Sequence, residues 1–219
     1  MTVPIHPTPQ NTLSPRERIL ETARALFYTR GVNNVGIDLI ILESGVAKAT
    51  LYKHFKSKDD LILAYMGAGS ADWLEWLQKR VEHFSPNTQT RLIAVWDALE
   101  EWFALPHFRG CSLGNVVTEL AASAEHPTRR ILLEHKEKVR AFFEELAVQT
   151  GMGQTRAISE RWMVLLEGAT TLAARERTGE IAVQARAIAQ ILLESQAMVS
   201  PRVEPEKANS MLEHLDFEF

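Results

Sequence analysis

A glycine–valine pair, Gly45-Val46, separates two short helical patterns, Ile37 to Ser44 and Ala47 to His54, and this turn constrains the fold more than any other feature. A helix-turn-helix uses such a glycine to let the chain reverse where a Cβ would clash. The second pattern carries a mixed face. Leu51 and Phe55 are expected to point inward, while Lys48, Thr50, Tyr52, Lys53 and His54 offer donors outward. Donors of these kinds hold phosphate oxygens, and one or two of them can reach base edges. The same residues also fit an ordinary amphipathic helix with a solvated charged face, and spacing alone does not separate the two.

Charge sharpens the question. The chain of 219 residues has a net charge of −4, which at first argues against nucleic acid. Residues 1–60 nevertheless hold eight Lys and Arg against six Asp and Glu, so this part is +2 and the remainder −6. Local field governs docking on phosphate, because charges beyond a Debye length are screened. A modestly basic head on an acidic body suits binding at one site and argues against non-specific coating of DNA. Hydrophobic content of 46% supports a globular core. The single cysteine, Cys111, excludes an intrachain disulfide and fits a reducing compartment. Residues 1–15 lack the apolar run of a signal peptide, and the most apolar segment, Trp162 to Ala174, is interrupted by Glu167. A soluble, cytoplasmic protein without membrane contact is expected.

The residues around the turn extend the pattern. Arg18-Ile19-Leu20, Ala23, Leu26-Phe27, Gly31, Ile37, Ile40, Gly45-Val46, Thr50-Leu51-Tyr52, His54-Phe55, Ser57-Lys58 and Leu61 agree in order and spacing over about a quarter of the chain. This pattern closely resembles the N-terminal DNA-binding domain of TetR-type transcriptional regulators. The resemblance implies an all-α homodimer with one three-helix reading head per subunit, followed by a larger helical ligand-binding and dimerisation domain, about nine helices in all. It implies a double-stranded DNA operator and a small-molecule effector as partners, and no cofactor, metal or catalysis. Lys48 is the expected base contact, with Thr50, Tyr52, Lys53, His54 and Lys58 on phosphates. Three positions depart from the family pattern. Gly36 replaces a capping Thr or Ser, Ala47 replaces the Ser that caps the recognition helix, and Ile41 replaces a small residue at the helix crossing.

The organisation expected is a flexible arm over 1–13, the helix-turn-helix domain over 14–57, the body over 58–199 and a tail over 200–219, with one helical turn near Met211 to Leu215. Ser14, Pro15 and Glu17 form a capping box that opens helix 1, which Gly31 ends. Ser57 caps helix 4, expected to run to about His83 with a kink at Gly67 and Gly69. Apolar spacing places further helices at about 88–103, 111–123, 127–149, 154–177 and 181–198. No strand-like alternation is present.

Two sites are expected in the body. Trp73, Trp76, Trp96, Trp102, Phe103, Phe108, Cys111 and Trp162 supply aromatic and apolar walls for an effector pocket, with His107, Arg109, Asn115 and Glu119 as polar anchors. Most of these aromatics also fit ordinary core. The family dimerises through its last two helices, and here Gly168, Ala169, Ala173, Ala182, Ala185 and Ala189 allow close approach while Met163, Leu166, Leu172, Ile188 and Leu192 supply apolar area. An internal hairpin is the alternative. Cys111, after Arg109-Gly110 at a helix start, reads as a thiol sensor or, ahead of that, as inert packing. The stretch Gly110-Cys111-Ser112-Leu113-Gly114 matches the G-x-S-x-G nucleophile elbow formally, so an all-helical hydrolase or thiol enzyme using Ser112 or Cys111 is the competing function. That elbow needs a preceding strand, and none is expected.

Overall fold

The computed structural model describes residues 13–199, and no strand occurs among them. The expected arm and tail, including Met211 to Leu215, lie largely outside the described residues. Nine α-helices are described: α1 (Pro15–Arg30), α2 (Ile37–Ser44), α3 (Lys48–His54), α4 (Lys58–Phe84), α5 (Arg91–Phe103), α6 (Ser112–Glu119), α7 (Pro127–Gln149), α8 (Thr155–Glu176) and α9 (Glu180–Val199). None is long and apolar enough to cross a membrane.

Helix starts follow the local chemistry. The Ser14 hydroxyl accepts the Glu17 N–H at 3.3 Å, and the Glu17 carboxylate accepts the Ser14 N–H at 2.8 Å, closing the capping box. Ser57 accepts the Asp60 N–H at 3.0 Å and opens α4. Gly45 ends α2 in the left-handed region, φ 64° and ψ 30°, where a Cβ is disfavoured.

Three helices differ from expectation. The glycines at 67 and 69 do not interrupt α4, which is one continuous helix of 27 residues, roughly 40 Å at 1.5 Å per residue. Gly69 lies beside α6, where a Cβ would stand at ordinary contact distance, 3.8 Å, from the Leu113 side chain. Residues Thr88–Thr90 form a separate 3-10 turn, held by Ser85 and Asn87, before α5 begins. Helix α6 stops at Glu119 rather than Ser123, because Ala121 turns to a positive φ of 44°.

Two apolar clusters organise the packing. The first joins α1, α2 and α3 through Ile19, Phe27, Ile40 and Leu51, and continues onto Leu61, Ile62, Tyr65 and Met66 of α4 and Leu113 and Val116 of α6. The second fills the body between the lower half of α4 and α5, α7, α8 and α9, with Trp73, Trp96, Phe143 and Trp162 at its centre. Trp162 donates its indole N–H to the Leu92 carbonyl at 3.2 Å, so this large side chain is buried without an orphaned donor.

One polar pair lies inside the body. The Ser70 hydroxyl on α4 sits 3.0 Å from Nδ1 of His135 on α7, and Trp73 meets the imidazole edge-on at 5.4 Å. Burial pushes the His135 imidazole down to about 3, with Lys136 and Lys138 adding to the effect, so it is held neutral. The unfolded chain takes up this proton near the ordinary value of 6.5 and the folded chain does not. Stability from this site is therefore present above that value and is lost as pH falls towards 3, by up to about 1.4 kcal/mol per pH unit. Urea melts across this range are expected to show a shallower acid loss for His135→Gln, which keeps hydrogen-bonding capacity without a titrating ring.

Candidate nucleic-acid interface

Helix α3 has only seven residues, and its position is fixed from one side. Leu51 and the C-cap Phe55 are buried, Val46 anchors the turn before it, and the Arg16 guanidinium lies over the Phe55 ring at 5.3 Å from its centroid. These contacts turn the other side out. Lys48, Tyr52, Lys53 and His54 are exposed, and Thr50 and Lys58 are partly exposed. The six side chains expected to meet DNA are thus all open to solvent, on α3 around the buried Leu51 and at the first residue of α4.

The cap of α3 is weak. Ala47 has the extended backbone of an N-cap (φ −70°, ψ 148°), but no side chain accepts a helix N–H there. Those free amides face the same side as Lys48 and are available to an anion. Lys48 reaches back to Asp38 on α2 at 3.5 Å, with both groups well exposed. An exposed pair of this kind contributes at most about 1 kcal/mol, so it yields readily to a phosphate or a guanine edge. Ile41 packs partly buried against the head cluster, filling the crossing where a small residue is usual.

A second set of contacts ties this unit to the body, and sequence reasoning did not find it. The Tyr28 hydroxyl near the end of α1 accepts the Arg109 N–H at 2.7 Å, and the Arg109 guanidinium donates to the Thr29 carbonyl at 2.9 Å. Asn33 donates its side-chain amide to the Glu119 carbonyl at 2.7 Å. Gly31, at φ 82°, lies so close to Glu119 that a Cβ would come within 2.5 Å of its carboxylate oxygen. Arg24 on α1, buried, pairs with Asp72 on α4 at 2.7 Å. Each partner is separated by dozens of residues and carries no local pattern, so periodicity and spacing contain no signal for it.

The aromatic residues expected around a pocket mostly pack on each other. Trp73, Trp96, Trp102, Phe103 and Trp162 are buried in the body cluster, and Trp76 is partly buried against it. Trp73 and Trp102 stand 5.4 Å apart, and Trp102 and Phe108 4.8 Å. The openings lie beside this core. A cleft of about 460 Å³ is lined by Phe108, Arg109, Asn115, Glu119, Ala174 and Arg177, among others. A neighbouring opening of about 220 Å³ shares Phe108, Arg109 and Arg177 and adds Thr29 and His107. Of the expected pocket residues, His107, Phe108, Arg109, Asn115 and Glu119 therefore border these two openings, and the tryptophans do not line either of them.

Cys111 is the N-cap of α6. Its sulfur accepts the Gly114 N–H at 3.4 Å and lies 3.7 Å from Nζ of Lys136, which is itself paired with Glu167 at 2.5 Å. Ser112 is 2% exposed, its hydroxyl meets no hydrogen-bond partner, His or other, among the described residues, and a loop rather than a strand precedes it. That geometry lacks the base and the exposed turn a hydrolase elbow needs.

The small residues expected at a dimer interface are turned inward. Leu166, Ala182, Ala185 and Ala189 are buried inside the subunit, where the alanines let α9 lie close to α5, and Met163 and Leu192 are half-buried against the same core. Buried side chains cannot meet a second subunit. Of the expected residues, Gly168, Leu172 and Ile188 do face out, alongside Val164 (73% exposed), Val183 and Ile191 (65% exposed). The helical period explains the shift: Ala182, Ala185 and Ala189 form one stripe of α9, and Ile188 and Ile191 belong to the neighbouring one.

Comparison with known proteins agrees with this geometry. The family model described as "Bacterial regulatory proteins, tetR family" matches residues 19–65. The HTH-type transcriptional regulator SAB2452 of Staphylococcus aureus (strain bovine RF122 / ET3-1) is 42% identical over 52 residues, 24% of this chain and 28% of that protein. The match thus spans little more than a quarter of that relative's length. Similarity to solved structures is broader. SCO4454, a TetR-family transcriptional regulator from Streptomyces coelicolor, is 31% identical with a TM-score of 0.76, covering 84% of this chain and 96% of that one. A putative tetR-transcriptional regulator from Streptomyces avermitilis is 28% identical with a TM-score of 0.70, covering 84% and 98%.

The bare cap gives a direct test of how α3 is held. Ala47→Ser places a hydroxyl at an N-cap whose backbone already has the required geometry. Thermal denaturation is expected to show a gain of about 0.5–1 kcal/mol.

Proposed function

From the premise that the chain belongs to the TetR family of DNA-binding transcriptional regulators, we propose that it is a cytoplasmic, homodimeric repressor released from a palindromic operator by a small molecule. The reading head is residues 14–57 and the body residues 58–199. The observation that carries this reading is the solvent-open set of Lys48, Thr50, Tyr52, Lys53, His54 and Lys58 around the buried Leu51 and Phe55.

In this reading α3 enters the major groove. Lys48, next to the open amides of α3, reaches a base edge, and the other five hold phosphates. One helix of seven residues reads too few base pairs to select a site in a genome, so two heads act together, about 34–36 Å apart or somewhat more. The exposed apolar residues Val164, Leu172, Val183, Ile188 and Ile191 on α8 and α9 support a two-fold contact between bodies, because an isologous interface needs one self-complementary patch.

A gel shift with DNA upstream of the protein's own gene, with and without random competitor, is the primary test. Retardation that random DNA abolishes at equal concentration counts against the reading. Tyr52→Ala is expected to weaken binding to all sequences alike. Lys48→Ala is expected to lower operator affinity by about 1–3 kcal/mol and also to relax sequence preference. The double variant Val164→Glu/Ile188→Glu should sediment as a monomer and lose selective binding; a monomer that still selects the operator would overturn the dimeric reading.

A further inference from the structure

We propose that the cleft between the end of α1, the α5–α6 loop and the end of α8 binds a small organic carboxylate, and that this anion competes with the Arg109–Thr29 contact. The site deepens the effector half of the function proposed above. Its DNA-free binding stands or falls independently of that function.

The two openings meet at Phe108, Arg109 and Arg177. Among the described residues neither guanidinium forms an ion pair, although the chain as a whole is acidic. The Arg109 guanidinium donates to the Thr29 carbonyl, which leaves donors of its planar fork over. Arg177 donates no side-chain hydrogen bond to any described residue and is held at the C-cap of α8 in the left-handed region, φ 56°. The smaller opening, lined by Thr29, His107, Phe108, Arg109 and Arg177, contains no carboxylate. It is the natural place for an anionic head, because a guanidinium fork matches a planar carboxylate in a bidentate way.

The larger opening suits the rest of such a molecule. Its volume of about 460 Å³ falls in the range of small-molecule sites, and Phe108 and Ala174 give it apolar wall. Glu119 is the one acid on the lining. Its carboxylate accepts the Asn33 N–H at 3.4 Å and lies against Gly31, so its charge is engaged by the α1–α2 turn. Five of its seven lining residues are polar, so inorganic phosphate or acetate would leave this volume empty and a carboxylate on a ring with hydrogen-bonding groups fills it, the ring face on Phe108 and Ala174.

The position couples the site to the head. The donors that would hold the anion include the guanidinium that now holds the last turn of α1. An anion that recruits Arg109 weakens that hold, and by reciprocity operator binding weakens the anion's affinity.

The test is calorimetric titration of the full chain with acetate, benzoate and phenylacetate, with benzamide and phenylacetamide as uncharged twins. Benzoate or phenylacetate is expected to bind and its amide not to. Arg177→Asn is the chosen variant, since Asn tolerates the left-handed conformation, and it should weaken binding by about tenfold or more through loss of a charge-assisted contact. Arg175→Asn, next along the helix and off the cleft lining, should bind as the parent does. If Arg177→Asn fails to fold, Arg177→Gln is read in its place. Binding of no carboxylate up to millimolar concentration, equal binding of acid and amide, or unchanged binding in the Arg177 variant overturns the site. In a gel shift, the carboxylate that binds should weaken the operator complex about 5- to 150-fold and leave the Arg177 variant unmoved. Binding without that weakening overturns the competition with Thr29. A chain that ignores the operator with no carboxylate present counts against the repressor reading and leaves the site intact.

Discussion

The apolar core of the reading head is not closed by the head. Helices α1, α2 and α3 are too short to bury one another's hydrophobic faces fully, as expected for a unit of this size. They complete the core with Leu61, Ile62, Tyr65 and Met66 from α4 and with Leu113 and Val116 from α6, all of them buried. Fully burying a side chain of this class contributes roughly 1.5–3 kcal/mol. The head's core therefore depends on α4 and α6 staying seated on it, and the position of the side chains proposed to meet DNA depends on helices that also belong to the body.

The polar contacts at the same seam decide how that dependence can be altered. Tyr28, Thr29, Gly31 and Asn33 close around Arg109 and Glu119 at the C-terminal end of α1, and Arg24, one turn before Tyr28, pairs with Asp72 of α4. Apolar contacts at Leu113 and Val116 are non-directional and tolerate a small slide. The hydrogen bonds at Arg109 and Asn33 are directional and do not. A change in the α5–α6 loop would therefore be felt by α1 first through the polar clasp. Helix α4, unbroken over 27 residues, would carry it as a rigid lever rather than absorb it at Gly67 or Gly69.

Local chemistry made the head legible and left the seam hidden. The Ser14 box, the Gly45 turn and the inward Leu51 and Phe55 are written within a few residues of each other, and the structure forms each of them. Where a residue's meaning depends on a distant partner, the sequence pointed elsewhere. Gly69 reads as a helix weakness because its neighbour Leu113 is 44 positions away. The tryptophans read equally well as pocket wall or as core until packing shows Trp73 tilted against Trp102 and Trp102 edge-on to Phe108. Ala182, Ala185 and Ala189 announce close helix approach correctly, but periodicity does not say whether the approaching helix is α5 of the same subunit or a helix of another.

That last ambiguity bears on the assembly. Once α5 occupies the alanine stripe, α8 and α9 still present Val164, Leu172, Val183, Ile188 and Ile191 to solvent along an adjoining face. Single exposed apolar residues are ordinary, but a band running along two neighbouring helices is not. The small residues and the large ones thus divide the labour. Alanines bring α9 close enough to α5 to complete one body, and the β-branched residues beside them are left to define what that body meets next. In the proposed dimer, one short recognition helix per head, within a segment (residues 1–60) whose basic excess is only +2, gains selectivity from the second copy. The band on α8 and α9 is the surface of the described residues best suited to bring one.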